Sequence, residues 1–212
     1  MKLFYAPGAC SLASHITLED VGANFEPIKI DFGSSQQQSA EYLAINPKGR
    51  VPALVDNGEV ITESPAILRY ISRRFPEANL WPEGILEDAR CAEWLSWCVS
   101  SVHVAFSHIG RSCRYAIGES AFREVEAKGR ETTRDIWGQV ETRLAARKTQ
   151  WAASDSFSVA DPYLFTFWHW GRNPQLNYDM PEDFPVWTEH ARRLCERFGV
   201  RRALEREGIP LP

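Results

Sequence analysis

Apolar and polar positions follow two different periods along this chain, and the change falls near residue 80. In the first third the apolar runs are short. Lys2-Leu3-Phe4-Tyr5 predicts a strand, Ala6-Pro7-Gly8-Ala9 turns it, and Cys10-Ser11 opens a helix to about Val21-Gly22. Residues 25–31, with Phe25, Ile28 and Ile30 apolar, predict a second strand. The polar segment 33–38 is a loop, and residues 39–45 form a short helix that ends at Asn46-Pro47, because a residue before proline is biased away from helix. Val51-Pro52-Ala53-Leu54-Val55 is an apolar run that a proline keeps from being a central strand, so Pro52 marks a strand start, with a cis Val51–Pro52 bond. Asp56-Asn57-Gly58 is a hairpin turn and Val60-Ile61 the returning strand. Ser64 is the expected N-cap of the next helix, with Pro65 at its first position. The order βαβα then ββα calls for one sheet with a right-handed first crossover.

Residues 76–82 carry two prolines and no periodicity, and mark a boundary. Beyond them every pattern is helical. On residues 87–115, Cys91, Trp94, Leu95, Cys98, Val102, Phe106 and Ile109 recur at three or four and predict one continuous apolar face. Phe122, Val125, Ile136, Val140 and Leu144 stripe a second long helix. Ser158-Val159-Ala160-Asp161 has capping-box spacing, with Asp in place of Glu, and begins a helix through Trp170. Residues 185–198 and 200–207 predict two more, separated by Gly199. The chain therefore divides into an α/β unit, residues 1–78, a linker, 79–86, and an all-helical unit, 87–212.

Composition narrows the function. With 212 residues, 44% hydrophobic and 25% charged, this is the profile of a globular protein with room for two modest cores. A formal net charge of −4 provides no electrostatic footprint for nucleic acid or an anionic membrane. No apolar run approaches the ~20 residues of a membrane span, and residues 1–12 lack the apolar core of a signal peptide. Five cysteines with no C-x-x-C pair fit a reducing cytoplasm.

Candidate chemistry gathers at two places. The helix start at Ser64 offers free N–H groups and a positive dipole end to a carboxylate, and Glu63 beside it suits an ammonium. Together they match an α-amino-acid headgroup, while Val51 presents a backbone edge to a peptide-like ligand. Cys10 lies where a strand turns into a helix, a position that lowers a thiol's pKa; Ser11 is a second hydroxyl there, or a cap. His103 stands within a stripe of small polar residues, Ser96, Ser100, Ser107 and Gly110, which suits either close packing or a ligand groove. Trp168 and Trp170 are candidates for a pocket wall or for core. The other histidines, His15, His108, His169 and His190, show no metal-ligand spacing, and no metal site is expected.

Tyr5-Ala6-Pro7-Gly8-Ala9-Cys10-Ser11-Leu12, the segment Ala44-Ile45-Asn46-Pro47-Lys48-Gly49-Arg50-Val51-Pro52-Ala53-Leu54, Leu80, and Tyr163-Leu164-Phe165 after the Ser158 box resemble the bacterial glutathione S-transferases, with the cysteine after Pro-Gly-Ala similar to the beta class. The resemblance spans nearly the whole chain. It implies the glutathione transferase fold, an α/β N-terminal thioredoxin-like domain plus an all-α C-terminal domain, in a cytoplasmic homodimer. Glutathione would be the co-substrate, conjugated to small hydrophobic electrophiles in detoxification, with no metal. By position, Val51 beside Pro52 would pair with the cysteinyl part of glutathione, Glu63 and Ser64 would hold the γ-glutamyl end, and Cys10 and His103 would be catalytic, with Trp170 near the pocket. Two alternatives stand beside conjugation: disulfide reduction through a Cys10 mixed disulfide, and a non-catalytic binding relative. Two departures bear on affinity. The class usually has a basic residue where this chain has Ser34-Ser35-Gln36, and lysine where it has Val104.

Overall fold

The structure, a computed structural model, describes residues 1–176 and 178–212. Among them four strands, β1 (Lys2–Tyr5), β2 (Glu26–Lys29), β3 (Ala53–Asp56) and β4 (Glu59–Thr62), form one sheet in the order β2-β1-β3-β4. β1 runs parallel to β2 across the crossover helix α1 (Leu12–Asp20) and antiparallel to β3, which pairs with β4 across the Asn57-Gly58 hairpin. Strand alternation sorts the side chains. Leu3, Tyr5 and Leu54 pack with Leu18, Ile67 and Ile71 on one face; Phe4, Ala53, Ile30 and Tyr42 pack on the other. The helices α2 (Ala40–Ile45) and α3 (Ser64–Arg74) complete this half.

The remainder is helical: α4 (Ile85–Trp97), α5 (His103–Gly110), α6 (Glu119–Ala145), α7 (Ala160–Gly171), α8 (Met180–Asp183), α9 (Pro185–Leu194) and α10 (Phe198–Glu207). Its core contains Trp94, Trp137, Phe167 and Trp187, and takes in Leu12, Ala13 and Ile16 of α1 and Leu68 of α3. The helix α1 is buried from Leu12 to Glu19, because it lies between the sheet and α7 and α10. The core is thus continuous between the two halves. No helix among the described residues is long and apolar enough to cross a membrane.

The structure refines one expectation and corrects three. The apolar face expected over residues 87–115 does form, with Cys91, Trp94, Leu95, Cys98 and Val102 buried in one core and Phe106 and Ile109 against it, but the helix is not uniform: a π-helical turn, Cys98–Val102, lies between α4 and α5, and α5 ends at Gly110. Gly199 lies inside the first turn of α10 rather than between two helices. A Cβ there would meet the Asp20 carboxylate at 2.5 Å, and the Gly199 N–H donates to Asp20 Oδ1 at 3.0 Å, so the glycine permits close approach instead of ending a helix. Helix α1 starts at Leu12, because the Ser11 hydroxyl accepts from the Ala6 N–H and donates to the Ala6 carbonyl, both at 3.2 Å, holding residues 6–11 as a turn. Ser64 is already the first residue of α3; Glu63 occupies the cap position with φ +73° and makes no side-chain cap bond.

The Ser158 box is also only half formed. The Ser158 N–H donates to Asp161 Oδ2 at 2.7 Å, as does its hydroxyl at 3.1 Å. Asp161, fully buried, accepts from Ala152 N–H at 2.9 Å and from His190 Nε2 at 2.8 Å through its other oxygen. Its carboxylate joins three segments of the helical half rather than capping one helix.

Candidate active site

The loop between β1 and α1 places Cys10 at the junction of two recesses. One is a crevice of about 80 Å³ beneath the start of α3, walled by Thr62, Glu63, Ser64, Asn46, Pro52, Val99 and Tyr163. The other is a larger cavity of about 300 Å³, walled by the loop 6–10, Phe32, Gln37 and Gln38 on one side and by Phe106, Ser107, Gly110, Arg111, Arg114 and Trp170 on the other. Cys10, Arg50, Val51 and His103 line both. The Val51–Pro52 peptide is cis.

Each wall has a local cause. Asn46, buried after α2, donates from Nδ2 to the Arg50 carbonyl at 2.6 Å, as does the Tyr42 hydroxyl, also at 2.6 Å, so the 46–51 turn is held from beneath. Gly49 has φ +61°, and a Cβ there would strike Gln38, a cavity-lining side chain. Glu63 has a positive φ without being glycine, an uncommon conformation that costs of order 1–3 kcal/mol and concentrates at ligand clamps. Its carboxylate accepts from Lys48 Nζ at 2.6 Å, and the same ammonium reaches Thr62 Oγ1 at 2.9 Å. Since a carboxylate offers about four lone-pair sites, Lys48 leaves room for a second cation.

From the helical half, Trp170 Nε1 donates to the Gly8 carbonyl at 2.6 Å, and Phe106 packs on Trp170 with centroids 4.6 Å apart. His103 meets Trp170 at 5.0 Å and Phe167 at 6.0 Å. The Gly8 N–H donates to Glu207 Oε2 at 2.7 Å, and His15 Nδ1 donates to Glu207 Oε1 at 2.8 Å. A buried carboxylate of α10 therefore sets the loop that precedes Cys10.

The electrostatics overturn the expectation for the thiol. Burial pushes the Cys10 thiol up to about 11, against its own backbone N–H and the Ser64 hydroxyl, which favour thiolate. Glu63 adds to the rise and Arg50 opposes it. Desolvation outweighs the turn's donors, and the protonated sulfur donates to the Val51 carbonyl at 3.2 Å. His103 is driven down to about 4, first by burial and then by Arg50 and Arg114, so it is neutral at neutral pH. Ser11, fully buried and engaged with Ala6, is not an available nucleophile; it holds the N-cap position of α1, but its hydroxyl makes no cap bond.

The fold therefore brings Cys10, Val51, Pro52, Glu63, Ser64 and His103 around one crevice, and Trp170 into the cavity beside it. From the small-residue stripe, Ser107 and Gly110 line the cavity with His103, whereas Ser96 and Ser100 are exposed and Trp168 is core. Sequence reasoning missed Arg50, Arg111, Arg114, Phe106, Lys48 and Glu207. Arg50 was in view within Asn46-Pro47-Lys48-Gly49-Arg50-Val51. Nothing local distinguishes Glu207 from the other charges of α10.

A mixed four-stranded sheet, with the loops that follow β1 and precede β3 facing a helical half across such a groove, defines an α/β plus all-α enzyme fold with its site between the two halves. The family model for the glutathione S-transferase N-terminal domain matches residues 1–73, and that for the C-terminal domain matches residues 106–197. The chain belongs to the glutathione S-transferase family. It is 33% identical to glutathione S-transferase GstA of Escherichia coli O157:H7, over 99% of this chain and all of that one. A glutathione transferase homologue from Sulfitobacter, solved with bound glutathione, superposes with a TM-score of 0.90 at 31% identity, covering 99% and 98% of the two chains. The beta-class enzyme of Sphingomonas chungbukensis superposes at 0.85 with 36% identity, covering 99% and 100%.

Proposed function

We propose that this protein conjugates the thiol of glutathione to small electrophiles. The observation that carries the reading is the continuity of the two recesses: an amino-acid-sized crevice ending at Glu63 and Ser64 opens, past Cys10 and Val51, into a cavity for a second substrate. Glu63 would take the ammonium of the γ-glutamyl group, and the Ser64 hydroxyl with the N–H groups of α3 its carboxylate. Val51 would pair its backbone with the cysteinyl residue. The bound thiol would then lie beside Cys10 and His103, its thiolate favoured by Arg50 and by donors of the 6–11 turn. Attack forms the sulfur–carbon bond, and the leaving group departs with its electron pair.

Neutral His103 is suited to hydrogen bonding rather than to charge stabilisation. Cys10, held protonated, is suited to orienting the ligand sulfur; a Cys10 mixed disulfide requires its thiolate and has less support. The reading extends to a cytoplasmic homodimer acting in detoxification, with residues 1–78 as the glutathione-binding unit and 87–212 lining the electrophile cavity. Titration calorimetry with glutathione, followed by conjugation assays with a chloronitrobenzene, tests it. Micromolar to millimolar binding with catalysed chloride release is expected; absence of binding overturns it. Size-exclusion chromatography with light scattering tests the dimer.

A further inference from the structure

The larger cavity holds more positive charge than glutathione neutralises. Arg50, Arg111 and Arg114 all line it, no carboxylate side chain does, and none of the three makes an ion pair among the described residues. Arg111 lies over the Phe32 ring, 5.9 Å from its centroid. Burial, and after it the charges of Arg50 and Arg111, disfavour the charge on Arg114. His103 adds no compensating negative charge.

Resting on the function proposed above, the charges can be placed. With the γ-glutamyl end at Glu63 and Ser64 and the cysteinyl part along Val51, Arg50, which lines both recesses, answers one of the negative charges of glutathione. The thiolate offsets part of a second positive charge. Arg111 and Arg114, presented by the helical half immediately after α5, then face the second substrate across the aromatic wall of Phe106 and Trp170.

We infer that the electrophile taken by this site carries an acid group, read by Arg111 and Arg114 while its apolar body rests against Phe106 and Trp170. A carboxylate within ~5 Å of one guanidinium gains on the order of tenfold at a partly solvated site, and screening by salt reduces the gain. Guanidinium also matches carboxylate geometry with paired donors, which an ester lacks the charge to exploit.

The test compares a chloronitrobenzoate with its methyl ester, each kcat/KM divided by the uncatalysed rate with glutathione. In both reactions the glutathione sulfur bonds to the ring carbon, chloride leaves with the electron pair, and the thiol proton goes to solvent. The normalised acid-to-ester ratio should be about ten or more at low ionic strength. It should fall towards one with added sodium chloride in the unmodified protein, and in the R111Q/R114Q double variant. A ratio at or below one, with glutathione bound and both compounds turned over, overturns this inference alone. Loss of glutathione binding in calorimetry overturns the underlying function as well. The salt series needs no substitution, so it stands even if the double variant does not fold.

Discussion

The two halves of this molecule meet along a closed side and an open side, and the contrast explains how the groove exists. On the closed side α1 packs into α7 and α10, and three acids reach partners across it. Asp20 pairs with Arg197 at 2.8 Å and with the Gly199 N–H, Glu19 with Arg206 at 2.9 Å, and Glu207 with His15 and the Gly8 N–H. On the open side α5 and the segment after it stand back from Arg50 and Val51, and the cations there have no carboxylate partner among the described residues. Buried ion pairs must be closely matched because charge is costly to desolvate. Charges left at a cavity instead stay wet until a ligand arrives. The closed side also positions the open one, since Glu207 and Trp170 hold the N–H and carbonyl of the same residue, Gly8.

The sharpest way to break this comparison is Glu207→Ala. It leaves two donors, the buried His15 Nδ1 and the half-buried Gly8 N–H, without their acceptor, a loss of about 1–3 kcal/mol each, and it frees Gly8. The melting temperature should fall by several degrees and conjugation should fall with it. A variant that melts and turns over like the unmodified protein would show that the closed side does not position the site.

Acid should weaken the fold next. The depressed pKa values of His103 and His169, both about 4, mean the unfolded chain takes up protons between about pH 6.5 and 4 that the folded chain refuses. Stability therefore declines as pH falls through that window and levels off below it, by on the order of a few kcal/mol in all. Denaturant titrations across the window measure it, and His103→Gln should flatten the slope. Conjugation should show no ionisation of His103 between pH 6 and 8.

Glu63→Gln removes the charge opposite the ligand ammonium. A charge-assisted hydrogen bond is worth ~1.5–3 kcal/mol, so glutathione should bind at least tenfold more weakly with the fold intact. The exposed pair with Lys48 adds at most about 1 kcal/mol to stability. An unchanged dissociation constant would remove the headgroup from this end of the groove.

The smallest effect is expected at Cys10. With its thiol near 11, iodoacetamide should label it slowly at neutral pH, the rate still rising beyond pH 9. Cys10→Ala should keep conjugation within about tenfold. A thiolate titrating below pH 8, or a glutathione adduct on the Cys10 peptide removed by reductant, would restore the mixed-disulfide chemistry.

Local chemistry in the sequence determined a great deal of this. Period-two apolar runs broken by Pro7-Gly8, Asp56-Asn57-Gly58 and Pro52 placed all four strands to within a few residues, because turn residues act on their own neighbours. The cluster of Glu63, Ser64, Val51 and Cys10 was legible because it is built from segments adjacent in one small sheet. Only the tertiary structure decided the rest. The same strand-to-helix turn that should acidify Cys10 is roofed by the helical half, and desolvation, a property of what packs above, reverses the sign. Gly199 reads as a helix break until Asp20, far away in sequence, is seen against its backbone. Nothing local in the sequence marks Arg111 and Arg114, and it is the fold that sets them around one cavity with Arg50. Turns and periods are contacts between near neighbours, whereas burial, pairing and cavity walls are contacts between residues tens to hundreds of positions apart.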